Sequence, residues 1–380
     1  MNIKVIAHSK PIREQYEGLK NNEKFDLFTG HVAGVCYMTE DFESLQNMPD
    51  EKTIARTEAT LGHGHHSVAD HCTVTLLIED APKLFAMLLN NEKMYTTSEK
   101  SARYTVMKPS TEEETLYNKW LEIFKKEIST EYPDMKKNKV KKLAQENSRY
   151  LISVMTPTTF VHTVSYRQLN YLYGWSKQML NGTGYYENLL RPSLEEFVYE
   201  LEKTDFLRSD LQADNKGRGF SLFRDEEYKP AEYFGDVYST VYDASYAQFA
   251  QAHRHRTINY TITKPNEFNF YTPDIISHDD KLTSMWADDI KSVKELEPQG
   301  TLVSVHEMGT YDDFILKLKE RSCSHAQLEI MKQARETLLK YKYSLETYNH
   351  PFKEDMKNYT KGARCTFPDV KCTDDCKFLE

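Results

Sequence analysis

The feature that most limits what this chain can fold into is a pattern that occurs twice. Thr73 to Ile78 is a β-branched and leucine-rich run that predicts a short strand, and after Glu79-Asp80-Ala81-Pro82 the stretch Lys83 to Asn90 reads as a helix. Val237 to Tyr242 predicts a second short strand, Asp243-Ala244 opens a helix, and Ser245 to His253 carries it to a polar end. A shift of 163 positions lays Asp80-Ala81 on Asp243-Ala244 and sets Asn91-Glu92-Lys93 against Arg254-His255-Arg256. Identity between the stretches is low, but strand, acidic turn and helix keep their order, as expected of a supersecondary unit used twice. The polar, glycine-containing stretch Ser209 to Gly219 is the expected boundary between the halves.

Other elements follow from periodicity. Ile3 to Ala7 and Val32 to Tyr37 predict strands. Leu116, Trp120, Leu121, Phe124 and Ile128 recur at helical spacing, as do Val140, Leu143 and Ala144 ahead of a long helical run from Arg149 to Leu180. Leu328, Met331, Ala334 and Leu338 mark a late helix, and all these stripes are assigned to core. The predicted fold class is α+β, with each half a sheet packed against long helices.

Charge narrows the partners. With a net charge of −9 and a pI near 5.9, the molecule as a whole repels nucleic-acid phosphates, so no nucleic-acid partner is expected and an anion site must be local and small. Neither a secretory apolar core nor a run long enough to span a bilayer is evident, which predicts a cytoplasmic protein without a membrane partner. The six Cys are too few and too uneven for a disulfide framework. Cys365, Cys372 and Cys376 could bind a metal with a fourth ligand such as His350, but they lack a paired C-x-x-C, and free thiols on a loose tail are the simpler reading. The histidines of Gly62-His-Gly-His-His-Ser-Val-Ala-Asp-His71 invite a metal too. Gly62 and Gly64 deny them regular helical spacing, so a polar loop lining a cofactor is the better reading and no metal is predicted.

The local anion site is placed at Gln251-Ala-His-Arg-His-Arg256, because guanidinium groups give forked, charge-assisted hydrogen bonds to phosphate. A basic triplet ending a helix is also a plain dipole partner or a solvated surface, so the neighbours must decide. Lys264 and Asn266-Glu267-Phe-Asn-Phe-Tyr271 follow the triplet. The first half reverses the pattern: it has Asn91-Glu92-Lys93 in place of the triplet, yet carries Ser98-Glu99-Lys-Ser101-Ala-Arg103-Tyr104. His65-His-Ser67-Val-Ala-Asp70-His71 has no match in the second half beyond Glu232-Tyr233. Arg149 has Lys294 as its counterpart, and Arg321-Ser-Cys-Ser-His-Ala-Gln327-Leu-Glu-Ile330 has Ser176 at the place of its Arg.

In their order these motifs resemble the flavin-dependent thymidylate synthases, the ThyX type, as two diverged copies in one chain: 1–208, 219–350 and a Cys-bearing tail 351–380. Lys264 departs from that pattern, where a Ser is expected, and Asp70 stands for the usual Glu. The resemblance implies methylation of dUMP at C5 to dTMP, with methylenetetrahydrofolate as carbon donor, FAD as cofactor and NADPH to reduce it. It implies that Arg254, His255 and Arg321 serve catalysis and that Gln251, Glu99, Ser101, Arg103, Tyr104 and Arg149 bind the nucleotide. His65, Ser67, His71, Arg254, His255 and Arg256 would hold the flavin. Each half carries what the other lacks, which implies one composite site per chain, and the family's tetramers with sites between subunits imply a homodimer of such chains. A related pyrimidine modification such as hydroxymethylation, or an inactive nucleotide-binding scaffold, remain the alternatives.

Overall fold

Strand order is the same in the two sheets of the chain. The computed structural model describes residues 1–380 apart from 12–15, 39–40, 102–107, 213–221, 225–228 and 372–380. The described residues form a first antiparallel sheet from β1 (Asn2–His8), β2 (Thr73–Pro82), β3 (Thr96–Glu99) and β4 (Pro157–Ser165) in the order β1-β2-β4-β3. A second is built from β5 (Tyr233–Phe234), β6 (Val237–Ser245), β7 (Asn259–Thr263) and β8 (Leu302–Thr310) in the order β5-β6-β8-β7. The chain divides into two compact units, Met1–Lys100 with Pro157–Gly219 and Ser101–Thr156 with Phe220–Glu380.

In the first unit the period-two pattern buries Val74, Leu76 and Ile78 of β2 and Phe160, His162 and Val164 of β4. Helices Lys83–Leu89, Tyr166–Met179 and Tyr185–Glu202 pack against this sheet. The register of β2 against β4 shifts between Ile78 and Ala81, where Asp80 takes a left-handed φ of 55°. The ladder resumes with Ala81 opposite Thr158, and in the second sheet Ala244 stands opposite Val303. The two alanines therefore hold the same ladder position.

Predicted elements differ in places: Asp80-Ala81 and Asp243-Ala244 lie in the last residues of strands β2 and β6, where a turn and a helix start were expected. Val32 to Tyr37 is not a strand: Asn21–Gly34 is a helix, closed by the 3₁₀ turn Val35–Tyr37. Packing overrides β propensity here, because Gly30 lets this helix press on helix Asp50–Gly62 so closely that a Cβ would lie 2.3 Å from the Thr53 carbonyl oxygen. The run from Arg149 to Leu180 is helical only over Tyr166–Met179; ahead of it the alternation of Thr158, Phe160, His162 and Val164 inward makes β4.

The division into units also differs from the predicted boundaries. Helices Thr111–Glu131 and Lys137–Ser148 belong with the second unit, because their stripe of Trp120, Phe124, Ile128, Val140 and Ala144 shares one core with Trp286 and Ile290 of helix Asp280–Ser292. Trp120 and Trp286 meet edge to face at 4.9 Å, and their indole N–H groups donate to Asp289 and to the Tyr271 carbonyl. A second core of this unit joins Tyr238, Phe314, Leu338 and Tyr341.

Within the second unit the segments leading into β4 and β8 pair with each other. Ser153 bridges Pro298 in antiparallel fashion, and each stands four residues ahead of its strand. Val154 N–H donates to the Glu297 carbonyl and Gln299 N–H to that of Ile152, both at 2.8 Å, so the exchange is reciprocal. Gly300 makes this approach possible: a Cβ there would meet the Tyr150 carbonyl oxygen at 3.1 Å and Ile290 at 2.7 Å.

Candidate functional site

One group of side chains that converges in the second unit comes from three helix ends and one turn. Ser245 caps helix Tyr246–Ala252 by accepting from Gln248 N–H, and the last turn of that helix carries Gln251. Helix Tyr311–Arg321 ends on Arg321, and Gln327 is the N-cap of helix Leu328–Thr347. Arg149 lies in the 3₁₀ turn Arg149–Leu151 after helix Lys137–Ser148, rather than opening a long helix.

Gln327 is the hub. Its side-chain oxygen accepts from both Arg149 Nη2 and Gln251 Nε2, its amide donates to the Tyr150 hydroxyl, and its backbone N–H reaches Gln251 Oε1 at 3.4 Å. Arg149, Tyr150, Gln251, Gln327 and Glu329 are all buried. Tyr150 donates to Glu329 at 2.7 Å, and burial followed by the neighbouring Glu329 charge raises the Tyr150 pKa well above its ordinary value. Burial likewise raises Glu329, against the opposing hydrogen bonds from Ser245 and Tyr150.

Arg321 ties the triplet to this hub. Its Nη2 donates to the Gln251 carbonyl at 3.2 Å and its Nε to His255 Nε2 at 2.9 Å. A guanidinium has no lone pair to offer, so His255 Nε2 must be the bare acceptor and the ring is neutral with its proton on Nδ1. Burial, reinforced by the Arg321 and Lys317 charges, holds the His255 pKa down at about 2, so the Glu320 carboxylate 3.8 Å away faces a neutral ring. His255 is therefore a hydrogen-bonding group and no cation; Arg254 and Arg256, on either side of it, are exposed.

The remaining predicted residues are placed as follows. Ser101 is half-buried, while Arg103 and Tyr104 lie outside the described residues. Glu99 ends β3 in the first unit, where its carboxylate lies 2.5 Å from Lys83 Nζ and accepts from Thr158. His65, Ser67 and His71 are exposed in the first unit around the 3₁₀ helix His66–His71, and Asp70 there accepts from Ser165 and Arg167. In the first unit Glu92 is fully buried and accepts from the Tyr171 hydroxyl at 3.0 Å, and Ser176 is buried. Lys264 is ion-paired with Glu297, which carries a left-handed φ of 54°, and Lys294 is exposed beside Glu295. Cys372 and Cys376 lie outside the described residues, Cys365 is exposed, and among the described residues no three His, Cys, Asp or Glu side chains are grouped to hold a metal.

Sequence reading missed the roles of Tyr150, Gln327 and Glu329. Gln327 and Glu329 stand in the stretch that carries the resemblance, but only its Arg321 was given a role, and a Tyr after an Arg is no signal by itself.

The fold and the cluster define an α+β protein with a buried, Arg-bearing hydrogen-bond hub in its second unit. Residues 20–174 match the family model described as "Thymidylate synthase complementing protein". Over 150 residues the chain is 27% identical to the flavin-dependent thymidylate synthase of Pyrococcus furiosus, covering 36% of this chain and 59% of that protein. Over 156 residues it is 27% identical to the flavin-dependent thymidylate synthase of Thermococcus kodakarensis, covering 38% and 62%. The chain thus spans about three fifths of the length of the curated relatives it matches. Among solved structures it is similar to the UMP/dUMP methylase PolB from Streptomyces cacaoi bound with 5-Br dUMP, at 13% identity and a TM-score of 0.35 over 56% of this chain and 93% of that one. A ThyX from Helicobacter pylori complexed with FAD and dUMP is similar at 12% identity and a TM-score of 0.32, over 56% and 96%. In the described residues no helix is long and apolar enough to cross a membrane.

Proposed function

We propose that the chain is a flavin-dependent enzyme that methylates dUMP at C5 to dTMP, taking carbon from methylenetetrahydrofolate and reducing equivalents from NADPH, at one composite site per chain. The observation that carries this reading is that Arg149 and Gln251 meet on Gln327 while Arg321 joins His255 to Gln251, from segments distant in sequence. Gln251, His255, Arg321 and Gln327 lie outside the segment that matches the family, residues 20–174, and Arg149 lies inside it.

Two supports favour the tandem arrangement: the common strand order of the two sheets, and the reciprocal pairing of Ser153 and Pro298 at equal distances from their strands. The place of the triplet in the first half is taken by Glu92, a buried carboxylate that would repel a phosphate, which supports one surviving site.

In this reading Arg149 and Arg254, with Ser101 and Arg103, neutralise the nucleotide phosphate dianion, and Gln251 orients it. Arg321, held in one orientation by His255 and the Gln251 carbonyl, polarises a uracil carbonyl and stabilises the negative charge that makes C5 nucleophilic. The donor set of the second unit fits a flavin: exposed Arg254 and Arg256 suit its diphosphate, and neutral His255 suits the polar edge of its ring. When bound, FAD supplies the hydride chemistry. Two such chains would form the homodimer.

The test is a turnover assay with dUMP, methylenetetrahydrofolate, NADPH and FAD, with the nucleotide analysed by mass. A methyl gain is expected. A hydroxymethyl gain would favour the alternative modification, to which the Lys264–Glu297 pair at the place of a Ser lends weight. An unchanged nucleotide and a colourless protein would leave a nucleotide-binding scaffold.

A further inference from the structure

We infer that Glu329, Tyr150 and Gln327 form a positioning relay that sets the aim of Arg149 and Gln251, and with it the affinity of the phosphate cage. The inference rests on the function proposed above. It starts from Glu329, whose carboxylate faces donors only: Ser245 N–H at 2.8 Å on Oε1, and on Oε2 the Ser245 hydroxyl at 2.7 Å, the Tyr150 hydroxyl at 2.7 Å and Gln327 Nε2 at 3.5 Å. The Ser245 N–H and the Gln327 amide can only donate, and with both hydroxyls donating as well the carboxylate accepts all four. Ser245 Oγ itself accepts from Gln248 N–H, so its single proton is committed to Glu329.

The direction of each later bond then follows. Tyr150 has one proton and gives it to Glu329, so toward Gln327 it can only accept. That turns the Gln327 amide with Nε2 toward Tyr150 and Oε1 toward Arg149 Nη2 and Gln251 Nε2. The opposite orientation would set an NH₂ group against a guanidinium and a second amide. Arg149, which can only donate, demands the Gln327 oxygen, and the Tyr150 hydroxyl holds that orientation by accepting the amide Nε2, while its ring packs in the core with Trp120 and Trp286.

Tyr150→Phe keeps that ring and the Ser245 cap and deletes only the hydroxyl. Isothermal titration of dUMP into the full chain is run on the wild type, Tyr150→Phe, Gln327→Met and the double variant, with a thermal melt of each. Tyr150→Phe is expected to weaken binding about tenfold, the equivalent of one hydrogen bond, with a melting temperature near that of the wild type. Because Tyr150 acts through Gln327, the double variant should bind no more weakly than Gln327→Met alone, which a merely structural tyrosine would not produce. Tyr150→Phe binding as tightly as wild type, or full additivity in the double variant, overturns the relay and leaves the proposed function standing. A wild type that binds no dUMP overturns the nucleotide reading, and the relay with it.

Discussion

Lys317→Met puts a number on the electrostatics beneath the site. Lys317 Nζ lies 2.6 Å from Glu307 Oε2 and 3.0 Å from Gln333 Oε1, and both charged side chains have 0% solvent exposure. Glu307 also accepts from the Tyr238 hydroxyl at 2.7 Å and the Tyr242 hydroxyl at 2.6 Å. Burial lowers the pKa of Lys317, and the Glu307 charge opposes that shift. Removing one partner of a buried pair strands the other charge, which typically costs about 3–5 kcal/mol. The two phenol donors stay in place and Met fills nearly the volume of Lys, so the low end, about 3 kcal/mol, is expected for the second unit. That is roughly a 150-fold change in the folding equilibrium. Adding Glu307→Gln removes the stranded charge and should restore stability to within about 1 kcal/mol of wild type. Urea unfolding followed by tryptophan fluorescence measures both, since Trp120 and Trp286 report from the same unit. A loss below about 1 kcal/mol in Lys317→Met, or a double variant no more stable than the single one, would show that no charge is stranded there.

Two buried histidines set an acid limit. Burial holds His255 at about 2 and His162 at about 4, below the ordinary 6.5, so the unfolded chain takes up protons first as pH falls and stability drops below about pH 6.5. Each contributes about 1.4 kcal/mol per pH unit until its folded pKa is reached, and melting curves of His162→Leu and His255→Asn between pH 4 and 7 should be flatter than those of wild type. Arg103→Ala and Arg254→Ala should each weaken dUMP binding about ten- to a hundredfold, and less than additively together; titration showing simple additivity would remove the composite site. Purified Arg254→Ala and His255→Ala should have lost flavin absorbance or turnover, and wild-type values in both would sink the flavin assignment. Light scattering should find two chains per particle, and a stable, active monomer would contradict the homodimer.

Local pattern carried the reading furthest where one residue's choice depends on its near neighbours. The strands and helices near Asp80-Ala81 and Asp243-Ala244 were legible because β-branched runs act within a few residues, but both acidic pairs lie inside their strands, β2 and β6. It failed where distant backbone decided. Val32 to Tyr37 carries strand-forming residues, yet Gly30 allows a helix contact with Thr53 that no local rule registers. The stripe of Trp120, Phe124 and Ile128 announces a buried helix face but not its partner.

Amino-acid order alone was enough for the α+β class, the strand-and-helix pattern that occurs twice, and the types of side chain available to hold an anion, because periodicity and charge are properties of short stretches. It also singled out Gln251, Arg149, His255 and Arg321. That the two helices Thr111–Glu131 and Lys137–Ser148 join the second unit, and that Arg149 and Gln251 share one acceptor on Gln327, followed from long-range packing. The protonation of His255 belongs to that level too. A histidine between two arginines reads as part of a cationic triplet, but burial together with Arg321 and Lys317, from another helix, makes the neutral ring the stable form. Hydrogen-bond direction and desolvation depend on what the fold brings within a few ångströms, and that is set by residues scores of positions away.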